Sequence, residues 1–422
     1  MNFNTLLCRL GLQPSDFINE DREVIKTDDG FIYEVRQRTD IRICPKCGSV
    51  SVYIHDHDIV EINCCETDQI KDTLRIIKTR FKCRDCGTTY TPPINGIVTK
   101  SQISNQTKQL IIGDFTKVMS FSSIANRYGL TTQRIIQLFD DNVPYIPRAR
   151  MPYVLCIDEI DFNGDNDSPY CCVLYDHKER KVVDIIKSRQ LPYLKEYFNV
   201  IPEKERNNVK YFVSDMYDGY RNIYKNYFKY ALHIIDLFHV IKLLTEAVNK
   251  IRNNHMKNED NPDYISSFMK QNWKLFLCRS EDIPDKWHSP RGYGYSVHYT
   301  DIVFEGIKRY DDLLIAYNIL QDLYHYNRND TFEESLKFVD YIADRLKNSG
   351  VFLLESVGKS YEKWRIEIAD GLAKNQTGNY YSNGIAESIN NNLKTIIKVS
   401  YGYHNFERFR KRCILISRYK KI

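Results

Sequence analysis

The middle of the chain holds the stretch Tyr153-Val154-Leu155-Cys156-Ile157-Asp158-Glu159, an apolar run that ends in two acids. Such a run, bounded by charged residues, predicts a buried β-strand with a carboxylate at its end. Strands are expected next at 170–175 and 181–187, and a short polar connection separates them. These three segments therefore predict an antiparallel meander.

Two further expected strands also end in an acid. Residues 209–214 precede Asp215, and residues 231–235 precede Asp236. Three antiparallel strands followed by alternating helix and strand predict an α/β ribonuclease H-like fold, with the three Asp residues on one rim. In that fold, acids at the first and fourth strand ends share two divalent cations, Mg²⁺ or Mn²⁺. For any single Asp the competing interpretation is a loop cap.

A third acid is expected from a helix, and Glu387 within 383–394 is the best candidate. Lys394 follows it by two helical turns and so projects from about the same face, where it can meet a phosphate. Asn391, one turn on from Glu387, is a candidate for a hydrogen bond to the substrate. A plain surface Glu–Lys face is the alternative.

Four of the twelve cysteines form two pairs with a two-residue gap, Cys44 with Cys47 and Cys83 with Cys86. A glycine after each pair lets the chain turn back, so that four thiolates can close on one ion. With strands expected at 50–54 and 74–81, the spacing predicts a zinc ribbon with one structural Zn²⁺. Alternative ligands lie between the pairs: His55, His57, Cys64 and Cys65. A disulfide or redox pair is the other interpretation.

Residues 121–139 have the pattern helix, glycine turn, threonine cap, helix. Ala125 is small where two helices would cross, and Gly129 can take a positive φ. The pattern predicts a helix-turn-helix whose second helix directs Gln133, Arg134 and Gln137 toward a DNA major groove. A helical hairpin used only for packing is the alternative.

The net charge of +5 is concentrated near the C-terminus. Residues 388–422 contain nine Lys or Arg against one acid, whereas the rest of the chain sums to −3. A local basic surface indicates phosphate binding, and a solvated helix end is the alternative. The expected DNA contacts in this tail are Lys398, Arg408, Arg410, Lys411 and Arg412.

The composition, with 42% hydrophobic and 27% charged residues, is that of a globular protein and excludes general disorder. The longest apolar run, 170–175, is far shorter than a membrane-spanning helix needs, and residues 1–13 lack the apolar core of a secretory signal. A cytoplasmic location is expected, with no membrane partner.

Together, the motifs resemble those of DDE transposases of the ISL3 type, a family of bacterial insertion-sequence enzymes. The resemblance runs almost from end to end and rests on the zinc ribbon, the helix-turn-helix and five short motifs. These motifs are 157–159, 214–217, 236–240, 383–394 and 401–406.

The resemblance implies catalytic roles for Asp158, Asp215 and Glu387, which would hold two Mg²⁺ or Mn²⁺ ions. Asp236 and His239 match an Asp-x-x-His signature with a supporting role. In many DDE enzymes a Tyr and an Arg precede the Glu; Tyr380 fits that pattern, whereas Asn383 stands at the position of the Arg.

The expected architecture is therefore multidomain. It comprises an N-terminal segment with the zinc ribbon (1–100), an all-α helix-turn-helix domain (101–148), the first part of the catalytic core (149–252), an all-helical insertion (253–376), and the last core helices with the basic tail (377–422). Trp273, Trp287 and Trp364 in the insertion are expected to pack in its core, and base stacking is the alternative.

The expected activity is metal-dependent cleavage of element ends and strand transfer to target DNA. The expected partners are double-stranded DNA at the terminal inverted repeats and at the target, and further copies of the chain in a homodimer or higher oligomer. The resemblance implies a bacterial, nucleoid-associated protein. Two other functions stay open: a DNA-binding regulator that has lost catalysis, and a ribonuclease H-like nuclease without strand transfer.

Overall fold

A computed structural model describes residues 3–28, 30–40, 42–63, 71–97, 103–165, 168–257, 262–289, 294–326, 331–374, 381, 384–400 and 403–419, with only the backbone at 19–21, 71, 263, 384–387 and 419. The chain forms two compact units. The first combines Met1–Pro147 with Asn392–Lys421, and the second is Arg148–Asn391.

The first unit begins with a five-stranded sheet. Its elements are α1 (Phe3–Arg9), β1 (Phe17–Lys26), β2 (Gly30–Gln37), β3 (Val52–Asn63), β4 (Lys71–Cys83) and β5 (Thr89–Tyr90). The strand order is β1-β2-β4-β3, with β5 on β4. β3 runs well beyond the expected 50–54, because Ile62 near its end is buried with Leu74 and Ile76 of β4 in the core that also contains residues of α1.

Three helices follow the sheet: α2 (Asn105–Asp114), α3 (Phe121–Arg127) and α4 (Thr132–Asn142). Ser104, Ser120 and Thr131 cap them, each accepting a hydrogen bond from the backbone N–H three residues on. The chain turns between α3 and α4 at Gly129, whose φ is +59°. Asn63 Nδ2 donates to the Gly129 carbonyl at 2.6 Å and so ties β3 to this turn.

The second unit is built on a mixed sheet. Its first elements are β6 (Val154–Asp161), β7 (Tyr170–Asp176), β8 (Lys181–Ile186), α5 (Leu191–Asn199), α6 (Glu203–Arg206), β9 (Tyr211–Ser214), α7 (Asp218–Tyr227) and β10 (Leu232–Ile235). The strand order is β10-β9-β6-β7-β8, in which β6, β7 and β8 are antiparallel and β6, β9 and β10 are parallel. Leu155, Ile157 and Phe212 pack against Leu194 and Tyr220 of α5 and α7.

The remaining elements of the second unit are mostly helical. They are α8 (Leu237–Met256), α9 (Asp263–Gln271), β11 (Trp287–His288), β12 (Val297–His298), α10 (Tyr299–Lys308), α11 (Asp311–Tyr324), α12 (Phe332–Lys347), α13 (Phe352–Lys363) and α14 (Arg365–Leu372). The expected all-helical insertion is wrong in one respect, because β11 and β12 form a two-stranded antiparallel sheet. α8 also runs through the expected boundary at 253, since its apolar stripe continues to Ile251.

The three tryptophans of this region differ in environment. Trp364 is 2% exposed and packs in the helical core, as expected, under the guanidinium of Arg221. Trp287 is 72% exposed and Trp273 is 40% exposed, so core packing is wrong for these two.

The last two helices are α15 (Gly384–Val399) and α16 (Phe406–Tyr419). Residues from Asn392 onward fold with the first unit, whereas the sequence analysis assigned the whole of 377–422 to the catalytic core. α16 packs there through buried Phe409, Cys413 and Ile414.

Candidate catalytic site and metal centre

The parallel strands bring three aspartates to one level of the sheet. Cys156 on β6 pairs with Val213 on β9, so Asp158 and Asp215, two residues further on, lie side by side. Ile235 on β10 pairs with Ser214, which places Asp236 next to Asp215. These three residues are called the acid row below.

Asp158 lies inside its strand rather than at the expected end. β6 continues to Asp161 because its antiparallel partner β7 goes on pairing with it, from Asp158 opposite Val173 to Asp161 opposite Tyr170. The parallel partner β9 ends at Ser214. Asp158 is therefore paired with β7 on one side of β6, whereas the strand on the other side, β9, ends before it reaches this level.

Both carboxylate oxygens of Asp158 accept a hydrogen bond. Oδ1 accepts from the Glu159 backbone N–H at 2.8 Å, and Oδ2 accepts from Asn390 Nδ2 at 2.8 Å. Burial raises the pKa of Asp158, and the neighbouring charges of Glu159 and Asp236 add to this effect. A carboxylate has about four lone-pair sites, so two remain for a cation.

Asp215 is strongly perturbed by its surroundings. Burial, followed by the charges of Glu159 and Asp158, raises its pKa to about 7. Its Oδ1 is buried without a hydrogen-bond partner among the described residues. A buried carboxylate oxygen with no donor fits a divalent cation, since hard cations take oxygen ligands. The donor set of Asp158 and Asp215 therefore fits Mg²⁺ or Mn²⁺.

Glu159 follows Asp158 directly but is engaged elsewhere. Its carboxylate accepts from Arg189 Nη1 at 2.6 Å and from the Tyr220 hydroxyl at 3.0 Å. The Arg189 guanidinium lies over the rings of Tyr170 and Tyr217. Sequence reasoning missed Arg189, because no local pattern links a residue after β8 to an acid on β6.

Asp236 and His239 lie at the start of α8. Asp236 is buried and caps the helix by accepting from the Phe238 N–H at 3.3 Å. His239 Nε2 lies 3.9 Å from Asp236 Oδ2. The spacing of three residues on a helical turn explains this contact.

The predicted third acid lies on α15. The backbone of Glu387 is helical, but its side chain lies outside the described residues, as do Tyr380 and Asn383. Asn391 and Lys394 are both exposed. Among the side chains of α15 that the structure describes, Asn390, three positions after Glu387, contacts the acid row.

The two cysteine pairs converge in the first unit. The ligand atoms of Cys44, Cys47, Cys83 and Cys86 all lie within 4.8 Å of one another. The Sγ distances from Cys44 to Cys86 and from Cys47 to Cys83 are 3.6 and 3.7 Å. Four sulfurs at about 2.3 Å from a tetrahedral Zn²⁺ are separated by about 3.8 Å, so the cluster fits this ion.

The alternative ligands do not join this cluster where the structure describes them. His55 and His57 lie on β3 with exposed side chains. Cys64 and Cys65 lie outside the described residues. Gly48 and Gly87 take positive φ values of 75° and 70°, as the turns after the two pairs require.

The surface of α4 carries the three side chains expected to read DNA. α4 buries Ile135, Leu138 and Phe139. Gln133 and Gln137 are exposed, and Arg134 Nη1 donates to Gln137 Oε1 at 2.9 Å. The apolar stripe of the helix thus leaves these polar side chains on its outer face.

The basic tail corrects an expectation. Arg412 is fully buried and donates to the carbonyls of Phe115, Lys117 and Met119 at the end of α2 and just beyond it. Arg410 is 5% exposed and donates to the Ile146 carbonyl at 3.1 Å. These two guanidinium groups are therefore unsuited to binding a DNA phosphate.

Two more cations of the tail are bound within the first unit. Arg408 forms a bidentate pair with Asp140 at 2.7 to 3.0 Å, and Lys411 Nζ donates to the Val143 carbonyl at 3.0 Å. Lys398 on α15 is exposed. Most of the tail's expected phosphate contacts thus hold α16 in place.

A family model described as a transposase, of the DDE and ISL3 type, matches residues 155–413, more than half of the chain. The match begins inside β6, includes the acid row and ends inside α16. A comparison with curated proteins gives no match. None of the helices in the described ranges is long and apolar enough to cross a membrane. On this match, the chain belongs to the ISL3-type family of DDE transposases.

Proposed function

We propose that the protein cleaves DNA at the ends of its own insertion sequence and joins the freed 3′ hydroxyls to target DNA. The observation that carries this proposal is the placement of half-buried Asp158 and Asp215 at one level of two neighbouring parallel strands. Two half-buried acids at one level attract divalent cations, because like charges in a poorly solvated site need compensation.

Asp158, Asp215 and Glu387 would hold two Mg²⁺ or Mn²⁺ ions. When bound, such a pair activates an attacking hydroxyl and stabilises the leaving oxygen of a phosphodiester. Asp158 is oriented for this role by the Glu159 N–H and the Asn390 amide. The position of Asn390 supports a part for Glu387, since residues three apart lie on one side of a helix.

The second unit would be a ribonuclease H-like domain interrupted by the helices that follow α8. The strand order β10-β9-β6-β7-β8, with two antiparallel and two parallel strand pairs, supports this assignment. Asp236 and His239 would support the acid row from the first turn of α8, and exposed Lys394 would contact a phosphate.

The first unit would bind the element ends. The cysteine cluster would hold one structural Zn²⁺, and α3 with α4 would form a helix-turn-helix that directs Gln133, Arg134 and Gln137 to base edges. Lys398 would add a phosphate contact. Because an element has two ends and each chain carries one acid row, a homodimer or higher oligomer would assemble on the DNA.

A cleavage assay tests this function. The substrate is duplex DNA that carries the sequences flanking the gene, with Mg²⁺ or Mn²⁺ in the buffer. We expect nicks at the repeat ends and joined products. Asp158→Asn and Asp215→Asn should lower the rate by orders of magnitude with DNA binding retained.

Asp161→Asn is the matched control, because Asp161 is an exposed acid on the same strand. It should cleave at the wild-type rate. Cleavage without joining would indicate a nuclease, and binding without cleavage in the wild type would indicate a regulator. Either result contradicts the proposed function.

A further inference from the structure

Asn390 is a buried polar residue beside the acid row. It is 7% exposed, and its Nδ2 lies 2.8 Å from Asp158 Oδ2 and 3.5 Å from the Glu159 carbonyl. Its Oδ1 is buried and has no hydrogen-bond partner among the described residues. One half of the amide is therefore satisfied and the other half is not.

An unsatisfied buried acceptor destabilises the folded chain, because it has lost its hydrogen bonds to water. An apolar residue of similar size would anchor α15 without that cost, so the presence of an amide here indicates a partner for its oxygen. The Tyr175 hydroxyl, which is also buried and unpartnered in the described part of the chain, is a nearby donor. The cation expected at Asp158 is the other candidate partner.

The chemistry of the amide favours the cation over the Tyr175 hydroxyl as the partner of Asn390 Oδ1. An Asn carbonyl is a hard, neutral oxygen ligand of the kind that divalent cations accept beside carboxylates. Asp158 and Asp215 already bring two negative charges, so a neutral ligand adds an oxygen without further repulsion. The hydrogen bond from Nδ2 uses only one lone pair of Asp158 Oδ2 and leaves another for the ion.

We propose that Asn390 belongs to the divalent-cation site, where its Nδ2 fixes the Asp158 carboxylate and its Oδ1 supplies a neutral ligand. This inference rests on the proposed function, since it assumes a cation at Asp158. It adds to the acids a residue that the motif pattern does not select.

Mn²⁺ binding to the zinc-loaded, full-length protein tests the inference without reference to activity. Free Mn²⁺ is followed by electron paramagnetic resonance during a titration. Asn390→Ala should weaken binding about tenfold or more, the range seen when groups that support metal ligands are removed. Asn390→Asp keeps an oxygen and adds a negative charge but loses the Nδ2 donor to Asp158, so it should bind Mn²⁺ more tightly than Asn390→Ala.

Two control variants separate the possible partners. Asn391→Ala changes the exposed neighbour on the same helix and should leave the affinity unchanged, as should Tyr175→Phe. A weakened affinity in Tyr175→Phe equal to that of Asn390→Ala would assign the amide oxygen to the phenol and overturn the proposal.

Wild-type Mn²⁺ affinity in Asn390→Ala would contradict the proposal, and a lowered melting temperature in the same variant would then show that Asn390 only anchors α15. If that variant fails to fold, Asn390→Leu, an apolar residue of similar size, decides, and wild-type Mn²⁺ affinity in it contradicts the proposal. Asp158→Asn is the reference for the site itself. Unchanged Mn²⁺ binding in Asp158→Asn would overturn the cation site of the proposed function, a different result from failure at Asn390.

Discussion

His233 lies immediately behind the acid row and is buried as a neutral ring. Its Nε2 is 2.8 Å from Ser214 Oγ, and its ring packs against Phe212 and Tyr224. Burial, assisted by the charges of Arg221 and Lys225, lowers its pKa to about 3. The residue therefore supports the strand that leads to Asp215 only while it is uncharged.

This environment predicts a pH dependence of stability. Below about pH 6.5 the unfolded chain protonates His233, whereas the folded chain does not until the pH approaches 3. As the pH is lowered through this window, the free energy of unfolding should therefore decrease by about 1.4 kcal/mol per pH unit from this group. Urea unfolding measured at several pH values gives the slope of the free energy of unfolding against pH. This slope should be smaller in His233→Gln by that amount, and equal slopes in the variant and the wild type would contradict this assignment.

A buried guanidinium at Arg412 predicts a large loss of stability on substitution. Arg412→Met removes one hydrogen-bond donor from each of three carbonyls after α2, and we expect a loss of about 2–5 kcal/mol in the free energy of unfolding. Lys398→Met, at an exposed basic position, is the control and should change stability little. The reverse ranking in thermal unfolding would show that the tail helix does not hold the first unit together.

At the scale of elements, the cysteine cluster lies at the open end of the β3–β4 pair. Backbone hydrogen bonds close each turn around its glycine, with the Cys44 N–H donating to the Ser49 carbonyl and the Cys83 N–H donating to the Thr88 carbonyl. A bound Zn²⁺ would join the two turns, because each supplies two of the four sulfurs.

We expect Cys83→Ser to lose the bound zinc and to destabilise the first unit, since three thiolates hold the ion less tightly than four. Metal analysis and circular dichroism measure the two effects. Cys8→Ser changes an exposed cysteine outside the cluster and should keep one zinc per chain. Full zinc content in Cys83→Ser would show that the ligand set is wrong.

Substitutions on the outer face of α4 should change the preference for a DNA sequence without changing non-specific DNA affinity. Gln133→Ala with Gln137→Ala should reduce the preference for the element end over random DNA, by about 1–3 kcal/mol for each base that α4 no longer reads. Non-specific binding should change little, because neither side chain is charged. Competition binding measures both, and an unchanged preference would indicate that the helix pair serves packing.

Local sequence patterns were enough to predict those features whose contacts join residues close together in the chain. The glycine turn before α4 and its Thr131 cap are set by neighbouring residues, and the structure has both. The role of Arg412 could not be predicted, because its carbonyl partners lie nearly three hundred positions away. The charge of a residue does not show whether its side chain is exposed to solvent.

The contact between Asn390 and Asp158 shows a second limit. With 3.6 residues per turn, positions three and four after Glu387 are almost equally close to its face of the helix. Only the way α15 packs on the sheet decides between them, and that packing depends on residues more than two hundred positions earlier.

At the scale of the whole molecule, the family match starts at residue 155, so the cysteine cluster and α2 to α4 precede it. The matched part contains the acid row, where we propose that the chemistry takes place. We therefore propose that the first unit recognises the element ends and that the second unit carries out DNA cleavage and joining.

The convergence of Glu387 with Asp158 and Asp215 is the central claim, and anomalous diffraction from crystals grown with Mn²⁺ and element-end DNA tests it most directly. Data at the manganese edge should show two peaks about 3.5–4 Å apart, bounded by these three carboxylates. The claim is contradicted if the peaks lie elsewhere, or if the Glu387 carboxylate stays out of ligand distance while Mn²⁺ and DNA are bound.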